Sequence, residues 1–481
     1  MGQFIGRVPL DRVGNGSAKT LGILVVLGLL AQGVARFLTN AMIGRFAGPA
    51  VLGITASAYA TAQIMALLGP TSIGSAASKY VARYRGAKSE QLDRLVSFLS
   101  WRALISIFAT SVTGAVVWLT IANGTVAQAS LVAAVCAGTG AYAVTRGTMF
   151  GAGLGIRASI WDVLTALVGL GAVLVLLAFG VRDLFVLSGF ALAYLSAALC
   201  NWTWSRPQRS QRAQRREIDL FILLGIGGTL ASAGFLQASQ IAARMADGAH
   251  GAGQYAAALT IATPTALIAG SVSMVLFPRM AHAAGGANTS LLESQVDIAT
   301  KVLTLVGVGV TGALVILTRP IVALVWGAEF RQAETLLPIM LIAILANSIG
   351  VASVNLITST WQKGMLVSFS SSVLGMITGV SIWILIAPRF GVDGVAVGFL
   401  VGNLVIALIP IGLVWRRYQL KWAGLSSKLC TGVTMIVICT VFLQDAQSGT
   451  IHTFTVLLAF EAAWLVVMRK ESLRMIDSLR F

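Results

Sequence analysis

The chain has 481 residues, of which 57% are hydrophobic and only 11% charged, and its formal net charge is +17. A soluble domain carries ~25% charged residues, so the composition excludes a soluble globular protein and indicates an all-α polytopic membrane protein. Its apolar runs are continuous over about twenty residues, which excludes a barrel of alternating strands.

The first stretch, with Arg7, Arg12 and Lys19, is polar and basic, and no small-residue cleavage motif follows the first apolar run. Gly16-Ser17-Ala18-Lys19-Thr20 has the look of a phosphate loop, but Ala18 stands where glycine is required and no strand precedes it. The first span opens at Leu21 as an apolar helix and then takes in Gln32, Arg36 and Asn40, spaced four apart and so on one helix face. An arginine near the bilayer centre costs ~2.5–3.5 kcal/mol; it ordinarily faces a water-filled cavity and marks function. Gly44-Arg45-Phe46-Ala47-Gly48-Pro49-Ala50-Val51-Leu52-Gly53 reads as a turn. A second helix with Tyr59, Thr61 and Gln63 follows, those groups being read as helix packing.

About fourteen apolar spans follow one another, with centres running from Leu30 to Leu458. Basic residues fill every second loop. They include Lys79, Arg83, Arg85, Lys88 and Arg94 after the second span, Arg146 and Arg157 after the fourth, and Arg206, Arg209, Arg212, Arg215 and Arg216 after the sixth. Arg416, Arg417, Lys421 and Lys428 follow the twelfth, and Arg469, Lys470, Arg474 and Arg480 the last. The intervening loops are bare or balanced, as at Asn123-Gly124 and Arg182-Asp183. The positive-inside rule then places both termini in the cytoplasm of a multi-pass inner-membrane protein. The same rule accounts for the charge without a nucleic-acid partner, since no basic domain lies outside the spans.

The basic segment 206–217 divides an N-terminal six-helix bundle, 1–205, from a C-terminal one, 218–418; two additional helices and a cytoplasmic tail occupy 419–481. The halves show a weak repeat at an offset near two hundred residues. Gly48-Pro49-Ala50-Val51-Leu52-Gly53 aligns with Gly248-Ala249-His250-Gly251-Ala252-Gly253, and Phe179-Gly180-Val181 with Phe390-Gly391-Val392. Six spans is an even number, so the repeats are parallel and pseudo-symmetric, as in many transporters. The counterpart of the first polar stripe is Gln237, Gln240 and Arg244, again on one face. Its sequel holds Tyr255, Thr260, Thr263 and a kink-prone Pro264. The alternative role for both stripes is interhelical hydrogen bonding, but neither arginine has an obvious acidic partner in sequence.

Other chemistry is sparse. Cys136, Cys200, Cys430 and Cys439 lack CxxC spacing and read as buried free thiols, and three histidines, His250, His282 and His452, do not suggest a metal site. No cofactor is expected. Asp162 at the start of the fifth span and Glu461 in the last read as cap or packing residues.

Together the Gly44–Gly53 segment, Lys79-Tyr80-Val81-Ala82-Arg83-Tyr84-Arg85-Gly86, Phe277-Pro278-Arg279 and Leu324-Val325-Trp326-Gly327-Ala328-Glu329-Phe330 carry a resemblance. The chain resembles the multidrug/oligosaccharidyl-lipid/polysaccharide exporter superfamily, in particular its polysaccharide-transporter (Wzx-type flippase) branch. The resemblance implies two six-helix bundles around a cavity of alternating access. It also implies a lipid-linked oligosaccharide moved from the inner to the outer leaflet; a polysaccharide polymerase and glycosyltransferases are candidate partners, which the sequence by its residues does not assign.

The chemistry agrees. A pyrophosphate needs cations that are always charged and bind bidentately, which arginine supplies, and a glycan needs a wet path of amides and hydroxyls. Arg36, Arg244, Gln32, Asn40, Gln237 and Gln240 are the substrate-binding candidates. Moving an anionic head out of a negative interior is downhill by ~2.3 kcal/mol per charge per 100 mV. The lipid II flippases share fourteen spans and a cationic cavity and are one alternative. A cation-coupled multidrug exporter is another, and it would want a buried carboxylate, which the first span lacks. An enzyme is not expected: no Asp-x-Asp occurs and every loop is short.

Overall fold

The computed structural model describes residues 18–86, 92–203, 212–285, 289–361, 363–445 and 450–472. Of the residues singled out above, Arg7, Arg12, Gly16, Ser17, Lys88, Arg206, Arg209, Arg474 and Arg480 lie outside them. In chain order the helices are α1 (Ala18–Leu67), α2 (Pro70–Gly86), α3 (Leu92–Thr120), α4 (Val126–Gly151), α5 (Gly155–Ala178), α6 (Ser188–Asn201), α7 (Arg212–Thr229) and α8 (Phe235–Ala262). They continue with α9 (Ala266–Gly285), α10 (Thr289–Ile316), α11 (Thr318–Val325), α12 (Arg331–Thr360), α13 (Gly364–Tyr418), α14 (Ala423–Asp445) and α15 (Thr450–Val467). The described residues contain no strand.

Among the described residues, ten stretches are long and apolar enough to cross a bilayer. Three of them turn at a positive-φ glycine and count twice, and Ile451–Val467 adds one more, giving fourteen passages. The turns are at Gly48 in α1 (φ 82°), Gly248 in α8 (φ 65°) and Gly391 in α13 (φ 55°). Only glycine enters that region without a Cβ penalty. Pro49, just after the first turn, has no N–H to lose and suits the first position of the helix that follows. Gly180, the repeat partner of Gly391, also has positive φ, at 81°. The two pairs of sequence matches are thus pairs of backbone turns. In the seventh passage α7 runs into α8 through a π-helical stretch, Leu230–Gly234, a feature frequent at functional positions.

The chain forms two compact units, Met1–Gly253 and Gln254–Phe481. In the first, α1 packs on α3, α4 and α5, and α2 on α3, α4 and α7. Glycines set the closest approaches. A Cβ at Gly147 would lie 2.1 Å from the carbonyl of Gly74, and one at Gly28 would lie 3.1 Å from the Asp162 carboxylate. The tightest is Gly53, whose Cβ would fall 1.8 Å from Ala249 O, while Gly253 would meet Pro49 O at the same distance. Thr125 opens α4 with a reciprocal cap to Gln128. On the opposite rim, Arg102 pairs with Asp219 at 2.8 Å, and Lys79 lies 4.3 Å from the ring centre of Phe221, fastening α7 to α2 and α3.

In the second unit α12 is the central helix, touching α9, α10, α11 and α13. Ser273 and Asn355 exchange hydrogen bonds of 3.1 and 2.9 Å between α9 and α12. Gln254 spends its whole amide on the α12 entry, donating to Glu329 O at 2.7 Å and accepting from Ala333 N at 3.1 Å. The last two helices dock on α10. Trp464 donates to Leu305 O at 2.9 Å, Phe460 lies against Gly312, Trp422 donates to Asp297 at 3.0 Å, and Lys428 pairs with Glu471 at 2.6 Å.

Candidate functional site: polar cavities of the first unit

Gln32, on the first limb of α1, is the pivot of a polar network. Its Nε2 donates to Asp162 O at 2.8 Å and to Thr165 Oγ1 at 2.7 Å, and its Oε1 accepts from Tyr194 OH at 3.0 Å. The Asp162 side chain is 1% exposed. It accepts from Arg146 Nε through Oδ1 at 2.9 Å and Oδ2 at 3.0 Å, and from the hydroxyl of Tyr142. A buried carboxylate is tolerable only when so paired and hydrogen-bonded. Arg146 therefore belongs to α4 and the interior network, where the sequence had placed it among the loop charges. Asp162 is the anchor of that network and sits inside α5, beyond its first turn, so it is no helix cap. Tyr142 and Arg146, four apart on α4, were the sequence signal for it.

The turn at Gly48 folds α1 back so that Tyr59 on the second limb faces Arg36 on the first, with the guanidinium 4.5 Å from the ring centre. Gln32, Arg36 and Asn40 line one small cavity of about 30 Å³, together with Thr55, Tyr59 and Tyr194. Three of these residues, Gln32, Tyr59 and Tyr194, also line a larger cavity of about 510 Å³. That cavity extends between α1, α2, α4 and α5 past Gln63, Ser75, Ser78, Thr139 and Arg146.

Arg244 lines a third cavity, of about 260 Å³, with Ser57, Thr61, Trp118 and Asn123. Its guanidinium lies 4.5 Å from the Trp118 ring centre, and Nη2 donates to Ala122 O at 3.3 Å. Nη1 is buried without a hydrogen-bond partner. Neither Arg36 nor Arg244 forms a salt bridge among the described residues. The two arginines line separate cavities, on opposite faces of the second limb of α1: Thr55 and Tyr59 face one, Ser57 and Thr61 the other. Gln237 and Gln240 are buried and line none of the three. Gln240 donates to Ala252 O at 2.9 Å, across the Gly248 turn, and its Oε1 is buried without a partner. Thr61 and Gln63, read from sequence as packing, are wall residues of these cavities. No cluster of His, Cys, Asp and Glu that could hold a metal occurs among the described residues.

The fourteen-pass architecture has solved counterparts. A multidrug resistance MATE family transporter of the MOP superfamily, in its inward-facing conformation, superposes with a TM-score of 0.68 at 16% identity, over 82% of this chain and 98% of its own. The lipid II flippase MurJ, in an inward closed conformation, matches with a TM-score of 0.67 at 11% identity, over 93% of this chain and 99% of its own. A MOP superfamily transporter from Pyrococcus furiosus, described as having a binding pocket of reversed polarity, matches with a TM-score of 0.56 at 16% identity, over 83% and 94%. No curated protein matches the sequence. At these identities the likeness is one of fold, an all-helical polytopic bundle. The family model described as lipid II flippase MurJ matches residues 203–467, more than half of the chain, and the chain belongs to that family.

Proposed function

We infer that the protein translocates a polyprenyl-pyrophosphate-linked saccharide across the membrane, with Arg36 and Arg244 as the cations that engage the pyrophosphate and Gln32, Asn40, Gln237 and Gln240 as its polar surroundings. The observation that carries this reading is Arg244. Its guanidinium lies in a cavity, has no carboxylate partner among the described residues, and keeps one buried nitrogen unsatisfied. A buried donor left unpaired costs ~1–3 kcal/mol or more when charged, and a phosphate oxygen is the acceptor that suits a planar guanidinium. Arg36 offers the same chemistry beside Tyr59.

Two saccharide carriers share this chemistry. Membership of the MurJ family favours lipid II; the motif resemblance favours the repeat unit of a surface polysaccharide. A drug-exporter reading needs a free carboxylate for cationic cargo. The first unit's buried carboxylate, Asp162, is neutralised by Arg146, so ethidium-like cations are not the expected cargo.

The deciding experiment expresses the protein in two bacterial strains, one depleted of its lipid II flippase and one lacking its polysaccharide-repeat flippase. Rescue of growth assigns lipid II, and restored surface polysaccharide assigns the repeat unit. Failure of both at normal membrane abundance, or a proton-dependent gain of ethidium resistance, overturns the reading.

A further inference from the structure

The cavity of about 510 Å³ in the first unit differs in chemistry from the two that hold Arg36 and Arg244. Its volume falls in the ~300–1,000 Å³ range of small-molecule sites. Its only charged lining groups are Arg146 and Asp162, which cancel each other at 2.9 Å. The rest of the wall combines hydroxyl, amide and aromatic groups, among them Ser75, Ser78 and Gln63 and the rings of Tyr59, Tyr142 and Phe150, with small residues such as Ala66 and Ala143. Ser75 is exposed to the cavity, its hydroxyl donating only to Thr71 O at 3.0 Å, so its lone pairs are open to a ligand. The Arg146 guanidinium gives its Nε to Asp162 and stacks on Phe150 at 4.9 Å from the ring centre. No other hydrogen bond of Arg146 occurs among the described residues, which leaves the Nη donors for a ligand oxygen.

Such a wall is wrong for a phosphate, which would meet the Asp162 carboxylate without a surplus cation. It is right for a neutral polyol, whose hydroxyls both donate and accept and whose C–H faces lie flat on aromatic rings. The cavity also adjoins the Arg36 cavity through Gln32, Tyr59 and Tyr194, which line both. A pyrophosphate at Arg36 would direct the attached sugar toward this space.

We propose that this cavity is the subsite for the uncharged sugar of the cargo, with Gln63, Ser75 and Arg146 as its hydrogen-bonding residues and Tyr59 and Phe150 as its stacking faces. The proposal rests on the pyrophosphate-linked saccharide reading above. It separates the two halves of the headgroup by chemistry: charge is read at Arg36 and Arg244, and hydroxyls in the neutral cavity.

The test titrates purified full-length protein in nanodiscs with two ligands, undecaprenyl pyrophosphate alone and undecaprenyl pyrophosphate bearing a neutral N-acetylglucosamine disaccharide. Ser75→Trp fills the cavity from an exposed position of its wall. It should weaken the glycosylated ligand at least tenfold and leave the bare pyrophosphate within twofold. Gln63→Leu, which keeps the volume and removes the amide, should weaken the glycosylated ligand several-fold with the bare one unchanged. Unchanged binding of the disaccharide ligand by both variants overturns the subsite, as does equal loss of both ligands in Gln63→Leu. Should Ser75→Trp lose both ligands through misfolding, the Gln63→Leu result alone decides. Arg36→Ala and Arg244→Ala report separately on the underlying reading: if neither weakens bare undecaprenyl pyrophosphate, the pyrophosphate assignment fails, whatever the cavity variants do.

Discussion

Arg36 and Arg244 sit over aromatic rings and form no salt bridge among the described residues. An alanine at either position should abolish transport without lowering membrane abundance. Lysine should restore it only in part, because an ammonium lacks the bidentate fork. The measurement is transport divided by the amount of protein in the membrane, and normal transport by both alanine variants would sink the mechanism. If both engage one pyrophosphate, the double variant should lose less binding than the sum of the two single losses; because the two line separate cavities, additive losses would show that they do not share the ligand. Asp162 behaves in the opposite way. Asp162→Asn leaves Arg146 without its counter-charge inside the bundle, and removing one member of a buried pair costs ~3–5 kcal/mol. Arg146 is 26% exposed, so solvent screening lowers that toward roughly 1–3 kcal/mol. A lower Tm and reduced abundance are expected here; an unchanged Tm would show that the network is dispensable to the fold.

At the scale of elements, glycine does two separate jobs. Gly48, Gly248 and Gly391 let one helix double back into the next passage, and Gly53 and Gly253 let α1 and α8 meet at backbone distance. Gly53→Ala puts a methyl where Ala249 O lies 1.8 Å away, a contact that only a helix shift relieves, and overpacking of this kind costs ~1–3 kcal/mol. Gly171 in α5 has nothing near its absent Cβ. Gly171→Ala should be neutral or raise stability by up to ~1 kcal/mol through helix propensity. Thermal unfolding of the two variants in one detergent should move in opposite directions or by clearly different amounts. Equal shifts would mean that the close approach at Gly53 is not maintained in the membrane.

At the scale of the whole molecule, the last two helices are held to α10 by apolar contacts within the bilayer and by charges at its edge. Outside the spans, burial raises the Glu471 carboxyl, but the hydrogen bond from Lys428 and the charges of Lys428 and Lys301 outweigh it and hold the group below its ordinary value. A depressed carboxylate adds stability above its unfolded pKa of ~4.3 and loses it as pH falls through the lower folded value. Glu471→Gln should therefore lower Tm by an amount worth roughly 1 kcal/mol at neutral pH, and the difference from the parent should close as the pH drops below about 4. A Tm gap that persists in acid would assign the effect to packing. Cysteine labelling checks the orientation that loop charge implies: Asn123→Cys should react with an impermeant reagent in intact cells and Lys421→Cys should not.

The sequence by itself determined whatever is a one-dimensional consequence of the bilayer. Twenty-residue apolar runs must become helices because lipid offers their backbone no hydrogen-bond partner, and glycine in a turn motif marks where they double back. Hence the fourteen passages, the repeat of Gly48 at Gly248, and the isolation of Arg36 and Arg244 from acidic neighbours were all legible in the residues. The tertiary structure alone decided which polar groups meet. Gln32 and Asp162 are 130 residues apart, and Gln32 and Tyr194 are 162 apart. Helical spacing within one segment says nothing about which face of a distant helix will pack on it. For the same reason the sequence counted Arg146 as a loop charge, whereas packing of α4 on α5 turned it into the partner of Asp162. It also grouped Arg36 with Arg244, while the intervening second limb of α1 keeps their cavities apart, because a helix that carries polar groups on two faces can line one cavity on each.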